Sequence, residues 1–223
     1  NSCTSDRSVA GMSAPKRLIV GMSGASGAVY GIRLLEVLKD SGIQTHLVMS
    51  KAAKITLAAE TNFKVSDVER LATVVHSNED IGTACSSGSF HTLGMVVAPC
   101  SVKTMSEIAA GVTSHLLSHA ADVALKERRR VVLLLRETPL HLGHIRSMVA
   151  VTEAGAIVFP PVPAFYARPA SLEEMVDHTV GFSTSSISTQ VLSGAGQVIA
   201  RGRRAARKLR NSVHRGLPPM FCQ

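Results

Sequence analysis

The chain has no tryptophan, only two tyrosines, and four cysteines in 223 residues. Cys3, Cys85, Cys100 and Cys222 are scattered, with no CxxC pair. That spacing excludes a disulfide framework or a zinc site as the organising feature and points to a reducing compartment. No apolar run reaches the length of a membrane span. The first fifteen residues, Asn1 to Pro15, are small and polar, without the apolar stretch of a signal peptide. A soluble, cytoplasmic protein is expected, or a mitochondrial one in a eukaryote. Residues 1–15 read as a flexible extension or an expression remnant, with Met12 as the natural start.

Acidic residues are absent from Ser183 to Gln223, where seven Lys and Arg fall. They carry all but one of the net +8 charges, so the first 182 residues are nearly neutral. The basicity belongs to the tail and not to a charged face of a folded body. An RNA-binding tail would have only Phe221 for base stacking, so a solvated, disordered tail over 182–223 is the better reading.

What remains is ordinary globular sequence, 45% hydrophobic and 18% charged, long enough for one α/β domain over 16–181. Short apolar runs predict strands at Arg17–Ser23, Thr45–Met49, Leu93–Pro99, Val131–Leu135 and Ala156–Phe159. Helical patterns predict helices through Tyr30–Leu38, over Lys51–Glu60, from Ser101, over about Ser114–Lys126 and Leu142–Ala154, and from Ser171 as N-cap to about Val180. Apolar strands alternating with helices imply a Rossmann-like three-layer α/β sandwich with a mainly parallel sheet. Ligands in such folds bind at the carboxyl ends of the strands. The informative residues should therefore stand just after each strand.

They do. Gly21-Met-Ser-Gly24-Ala-Ser-Gly27 joins the first strand to a helix, and small residues there let backbone N–H groups approach a phosphate. Its spacing is GxxGxxG, not the dinucleotide GxGxxG, and the second strand ends at Ser50 where an NAD enzyme would place an acid. Both features favour a mononucleotide over NAD, although a tight structural turn needs the same glycines. Pro99-Cys-Ser101-Val102-Lys103-Thr104 offers hydroxyls and a helix N-terminus; plain capping by Ser101 is the simpler alternative. Lys126-Glu-Arg-Arg-Arg130 could be a solvated helix end. Arg136-Glu137 emerges from the most apolar strand, which suits a site. Pro160-Pro-Val-Pro-Ala-Phe-Tyr166 is a stiff loop able to hold a tyrosine over a pocket. His141 and His144 could share a helix face, but no third metal ligand accompanies them.

The segments GMSGASGAVYGIRLLEVL, HLVMSKAA, PCSVKT, AADVALKERR, RETPLHLGH and PPVPAFY, in this order from about Lys16 to Gly181, resemble the UbiX-type flavin prenyltransferases, phenylacrylic acid decarboxylase-like flavoproteins. The resemblance implies an FMN-binding Rossmann-like fold. It also implies a homo-oligomer, a dodecamer with sites at subunit interfaces. By the same resemblance Gly24, Ala25, Ser26, Ser50, Ser101, Val102, Lys103, Thr104 and Arg136 contact FMN. Glu60 and Glu137, with Ser26, serve catalysis, and Lys126 and Tyr166 hold dimethylallyl phosphate, Lys126 also assisting the reaction. The implied reaction joins a dimethylallyl group to reduced FMN at N5 and C6, without a metal. The departing phosphate would be stabilised by cations, and Glu60 or Glu137 would move protons if burial tunes its pKa. Prenylated FMN would then pass to a UbiD-type decarboxylase.

Two positions depart from the family. His119 stands before AADVALKERR, where an arginine is usual, and a histidine is only partly charged at neutral pH. Phe182 stands where the family places an arginine that binds the prenyl phosphate. Everything after Gly181 is unlike the family, as a frameshift or a divergent terminal exon would make it. Reading the coding DNA tests this, and an intact family terminus missing from both neighbouring frames excludes the frameshift. The rivals are a catalytically impaired FMN-binding or assembly subunit and a flavin-dependent cysteine decarboxylase of the same fold. The latter carries a PxMNxxMW motif, which a chain without tryptophan cannot contain.

Overall fold

A computed structural model of the chain describes residues 15–187. The rest of the expected N-terminal extension and the basic tail from 188 onward lie outside the described residues. Six strands form one sheet: β1 (Arg17–Met22), β2 (Gln44–Met49), β3 (Val74–His76), β4 (Gly94–Cys100), β5 (Arg130–Leu135) and β6 (Ile157–Val158). Their order is β3-β2-β1-β4-β5-β6, and every neighbouring pair is parallel. The order reverses direction between β1 and β4, and that switch point is where such sheets open a crevice.

Alternation along the strands divides the apolar side chains between two cores. Leu18, Val20, Met22, Val96, Ala98, Val132 and Leu134 face one side. There they meet α1 (Ala28–Lys39), α2 (Lys51–Glu60) and α7 (Leu172–Ser185). Ile19, Val48, Met95, Val97, Val131 and Leu133 face the other. They pack under α4 (Val102–Ala109), α5 (Leu116–Lys126) and α6 (Leu142–Glu153). A short α3 (Val65–Glu69) leads into β3.

The five expected strands and the helices between them are present. β3 was not among them. It is a three-residue edge strand with Val74 and Val75 exposed on its rim, too short to show a period. Ser171 caps α7 as expected, its side chain accepting from Glu174 N–H. The helix does not stop near Val180 but continues to Ser185, with Ser183 and Thr184 buried. Arg33 on α1 fastens it, pairing with Asp177 at 2.5 Å and through a second nitrogen at 3.3 Å. A bidentate, partly shielded pair of this kind fixes geometry better than a single surface bridge.

Candidate functional site

The carboxyl ends of the four central strands are tied together by their own backbone. Ser23, just past β1, donates its hydroxyl to Pro99 O at 3.0 Å and accepts from Ser101 N–H at 2.7 Å. Ser50 N–H donates to Met22 O, and Arg136 N–H to Cys100 O. The rim therefore holds its loops in fixed register before any ligand arrives.

On this rim a cleft of about 500 Å³ opens beside the switch point. Gly24, Ser50, Ser101, Lys103 and Thr104 line it together. Three helix N-termini open onto it, because Ser50, Ser101 and His115 are the N-caps of α2, α4 and α5 and all three line the cleft. Ser50 accepts from Ala53 N–H at 3.1 Å and Ser101 from Thr104 N–H at 3.3 Å. Two lysines (Lys51, Lys103) and two glutamates (Glu79, Glu107) balance along its walls. An anion there would be favoured by the converging helix ends and not by net charge. Gly24 is required for closeness: a Cβ there would stand 2.4 Å from Ala52 Cβ. Such a cradle suits a phosphate-bearing ligand, and the residues present fit an FMN phosphate.

Beside the cleft lies a second group. Glu60, at the end of α2, accepts from Gly27 N–H at 2.8 Å and Ala28 N–H at 3.2 Å. Gly27 is the N-cap of α1 with φ of 103°, a conformation that favours glycine and aims the amides outward. Partial burial raises the Glu60 pKa, but the Ser26 hydroxyl, those two amides and Arg136 outweigh it, and the net shift is downward. Burial does not tune Glu60 upward, as the sequence suggested; its neighbours hold it ionised. Tyr30 stands near Arg136 as well: burial raises its pKa and Arg136 opposes the rise. Ala25 is buried under the loop, Val102 is half-buried, and Glu137 is exposed, its Oε1 accepting from Thr138 N–H at 3.0 Å.

A second pocket, about 470 Å³, sits past the end of β6. Phe159, Val162, Tyr166, His178 and Phe182 line it. The Tyr166 ring meets His178 edge-on at 5.7 Å, and His178 meets Phe182 at 4.7 Å. Position 182 therefore shares a pocket with Tyr166, and in this chain it brings an aromatic ring and no charge.

Lys126 is not brought to the rim. It ends α5, four residues before β5 begins at Arg130, so it lies at the amino end of the sheet. There it is exposed, 3.5 Å from Glu127. His119 lies half-buried on the same helix, two turns earlier. Among the described residues no cluster of three or more His, Cys, Asp or Glu could hold a metal. The His141 and His144 rings lie against each other at 3.5 Å. No described helix is long and apolar enough to cross a membrane.

Sequence reasoning missed Ser23, Tyr30, Asn78 and the Arg33–Asp177 pair. Ser23 lay inside the quoted glycine loop, so its position was a usable signal. The others acquire meaning only through contacts distant in sequence.

A family model described as Flavoprotein matches residues 6–183. The flavin prenyltransferase UbiX of Escherichia coli K12 is 60% identical over 166 residues, 74% of this chain and 88% of that protein. This chain belongs to the UbiX flavin prenyltransferase family. Two solved structures of relatives agree with the fold. AnUbiX (PadA1), in complex with FMN and dimethylallyl pyrophosphate, is 48% identical with a TM-score of 0.77, covering 78% of this chain and 93% of that one. A dodecameric FMN-dependent UbiX-like decarboxylase from E. coli O157:H7 is 45% identical with a TM-score of 0.74, covering 76% and 93%.

Proposed function

We propose that this chain transfers the dimethylallyl group of dimethylallyl phosphate to reduced FMN, making prenylated FMN for a UbiD-type decarboxylase. The observation that carries this is the rim itself. The cradle of helix N-termini, the ionised Glu60 beside Ser26 and Arg136, and the Tyr166 pocket follow one another along the strand ends of a family member. Gly24, Ala25, Ser26, Ser50, Ser101, Val102, Lys103, Thr104 and Arg136 would hold FMN, which when bound and reduced supplies N5 and C6 as nucleophilic atoms.

The chain's own residues do the rest. The carbon–oxygen bond of the allylic phosphate breaks with its electron pair leaving on phosphate, so the pocket must stabilise that anion. Tyr166 offers a hydroxyl. Lys126 offers a cation from a neighbouring copy, since its own rim lies at the far end of the sheet. The site is then completed across an interface of a homo-oligomer, a dodecamer by analogy with the relative above. Glu60, kept as a carboxylate, accepts a proton and does not donate one. Ser26 positions it, and Glu137, exposed just past the end of β5, would be the second acidic group of the site.

The test is anaerobic incubation of the chain with reduced FMN and dimethylallyl phosphate, followed by mass spectrometry of the released flavin. A flavin heavier by one isoprene unit is expected, with formation slowed at least about a hundredfold in Glu60→Gln. Reduced FMN recovered unchanged from a chain that binds it would contradict the activity. That outcome would favour the second reading, an FMN-binding subunit impaired at the prenyl phosphate, which the uncharged Phe182 beside Tyr166 supports.

A further inference from the structure

We propose that Asn78 is a further cofactor-binding residue, its side-chain amide donating to the FMN phosphate in the cleft among the N-termini of α2, α4 and α5. This rests on the flavin reading above. Asn78 follows β3 and is 94% buried, with 6% of its surface exposed. Its backbone carbonyl accepts from Leu116 N–H at 2.8 Å, and its Oδ1 from Leu117 N–H at 3.1 Å. It therefore caps the start of α5 from a loop 38 residues away, where the N-cap His115 makes no side-chain hydrogen bond.

That bond also fixes the amide's orientation. Of the two terminal atoms of a side-chain amide only the oxygen accepts, so the atom facing Leu117 N–H is Oδ1 and the other is the NH₂ group with two donors. Among the described residues Nδ2 has no hydrogen-bond partner, yet it is not one of the fully enclosed orphan atoms. It is therefore open to the space Asn78 lines, which is the cleft of the three helix ends on one side and a hollow beside Lys51, Lys54 and Glu69 on the other. A nearly buried residue that keeps one donor pair unspent at a cavity wall is suited to a ligand acceptor. In this cleft the acceptor that helix ends attract is an anion. Ser50 and Ser101 spend their oxygens on capping their own helices. Asn78 adds donors from the third side.

The helix-capping and ligand roles separate by substitution. Asn78→Asp keeps the oxygen that accepts from Leu117 N–H and replaces the donors with a negative oxygen. Asn78→Ser is neutral and too short to reach the ligand. FMN and riboflavin, which lacks the phosphate, are titrated against each variant by flavin fluorescence, with thermal unfolding of the ligand-free protein alongside. Asn78→Asp is expected to unfold as the wild type does, to lose about a hundredfold in FMN affinity and to bind riboflavin within about twofold of wild type. In Asn78→Ser the ratio of FMN to riboflavin affinity should fall about tenfold. A purely structural role would lower both ligands in proportion and leave that ratio unchanged, which overturns the proposal. A wild-type chain that binds neither flavin overturns the flavin reading and this inference with it.

Discussion

Gly24→Ala tests the cradle at its tightest point. The new methyl would stand 2.4 Å from Ala52 Cβ, with Ala52 backbone atoms at 3.3 and 3.4 Å behind it. Relaxed carbon–carbon contacts lie at about 3.5–4.0 Å, so the two elements must part by roughly an ångström. The opposing atoms are the first turn of α2, not the end of a flexible side chain. Overpacking of this kind costs about 1–3 kcal/mol of stability. The displaced turn carries Ser50, whose N–H is bonded to Met22 O and whose hydroxyl caps the helix. A misplacement of that size at a ligand-positioning element costs up to about a hundredfold, so FMN affinity should fall about ten- to a hundredfold. Ala52→Gly in the Gly24→Ala background removes the clashing methyl. It should restore most of the FMN affinity while costing about 1 kcal/mol in helix propensity. Flavin fluorescence titration and thermal melts read both quantities. Wild-type FMN affinity in Gly24→Ala, or a double variant no better than the single one, would refute the steric argument.

Phe182→Arg should lower KM for dimethylallyl phosphate about three- to tenfold at saturating reduced FMN, a charged hydrogen bond discounted for a half-exposed position. FMN affinity should stay unchanged, and steady-state kinetics showing no KM change would count against a phosphate site at that pocket. Lys126→Ala and Glu60→Gln should each be inactive alone but recover about a quarter of wild-type activity when co-assembled, because random mixing leaves that share of cross-copy sites intact. No recovery would place Lys126 outside the neighbouring site. His46 is 6% exposed, its Nδ1 2.9 Å from His76 Nε2 and its Nε2 unpartnered. Burial, then His76 and Arg17, lowers its pKa from 6.5 to about 4. The folded pKa lies below the unfolded one, so the unfolded chain takes up the proton first as pH falls. This group costs nothing well above pH 6.5 and removes on the order of 2–3 kcal/mol between pH 6.5 and about 4. Chemical denaturation across that range should show a shallower loss in His46→Leu, and an unchanged slope would refute the assignment.

The sheet and the cleft were legible because the same residues write both. A buried parallel strand is a continuous apolar run, and the loop after it must be small or polar to expose the helix N-terminus. Reading past each run therefore reached Gly24, Ser50, Ser101 and Thr104, which the structure gathers in one cleft. β3 escaped because three residues at an exposed edge carry no period. The state of Glu60 escaped because it is set by the Ser26 hydroxyl and the amides of Gly27 and Ala28, more than thirty positions away. Asn78 had no motif around it, and only its bond to Leu117, 39 positions on, gives it a role. Lys126 was assigned to the site by resemblance alone; its place at the amino end of the sheet follows from α5 running back to start β5.

The most direct measurement of the central claim is a crystal structure of the assembled protein with FMN and dimethylallyl phosphate bound. The flavin phosphate is expected among Ser50, Ser101 and Asn78, the ring against Ser26, Glu60 and Arg136, and the prenyl phosphate near Tyr166 with Lys126 arriving from another copy. A flavin bound away from the strand-end rim, or a prenyl phosphate remote from Tyr166, would contradict it.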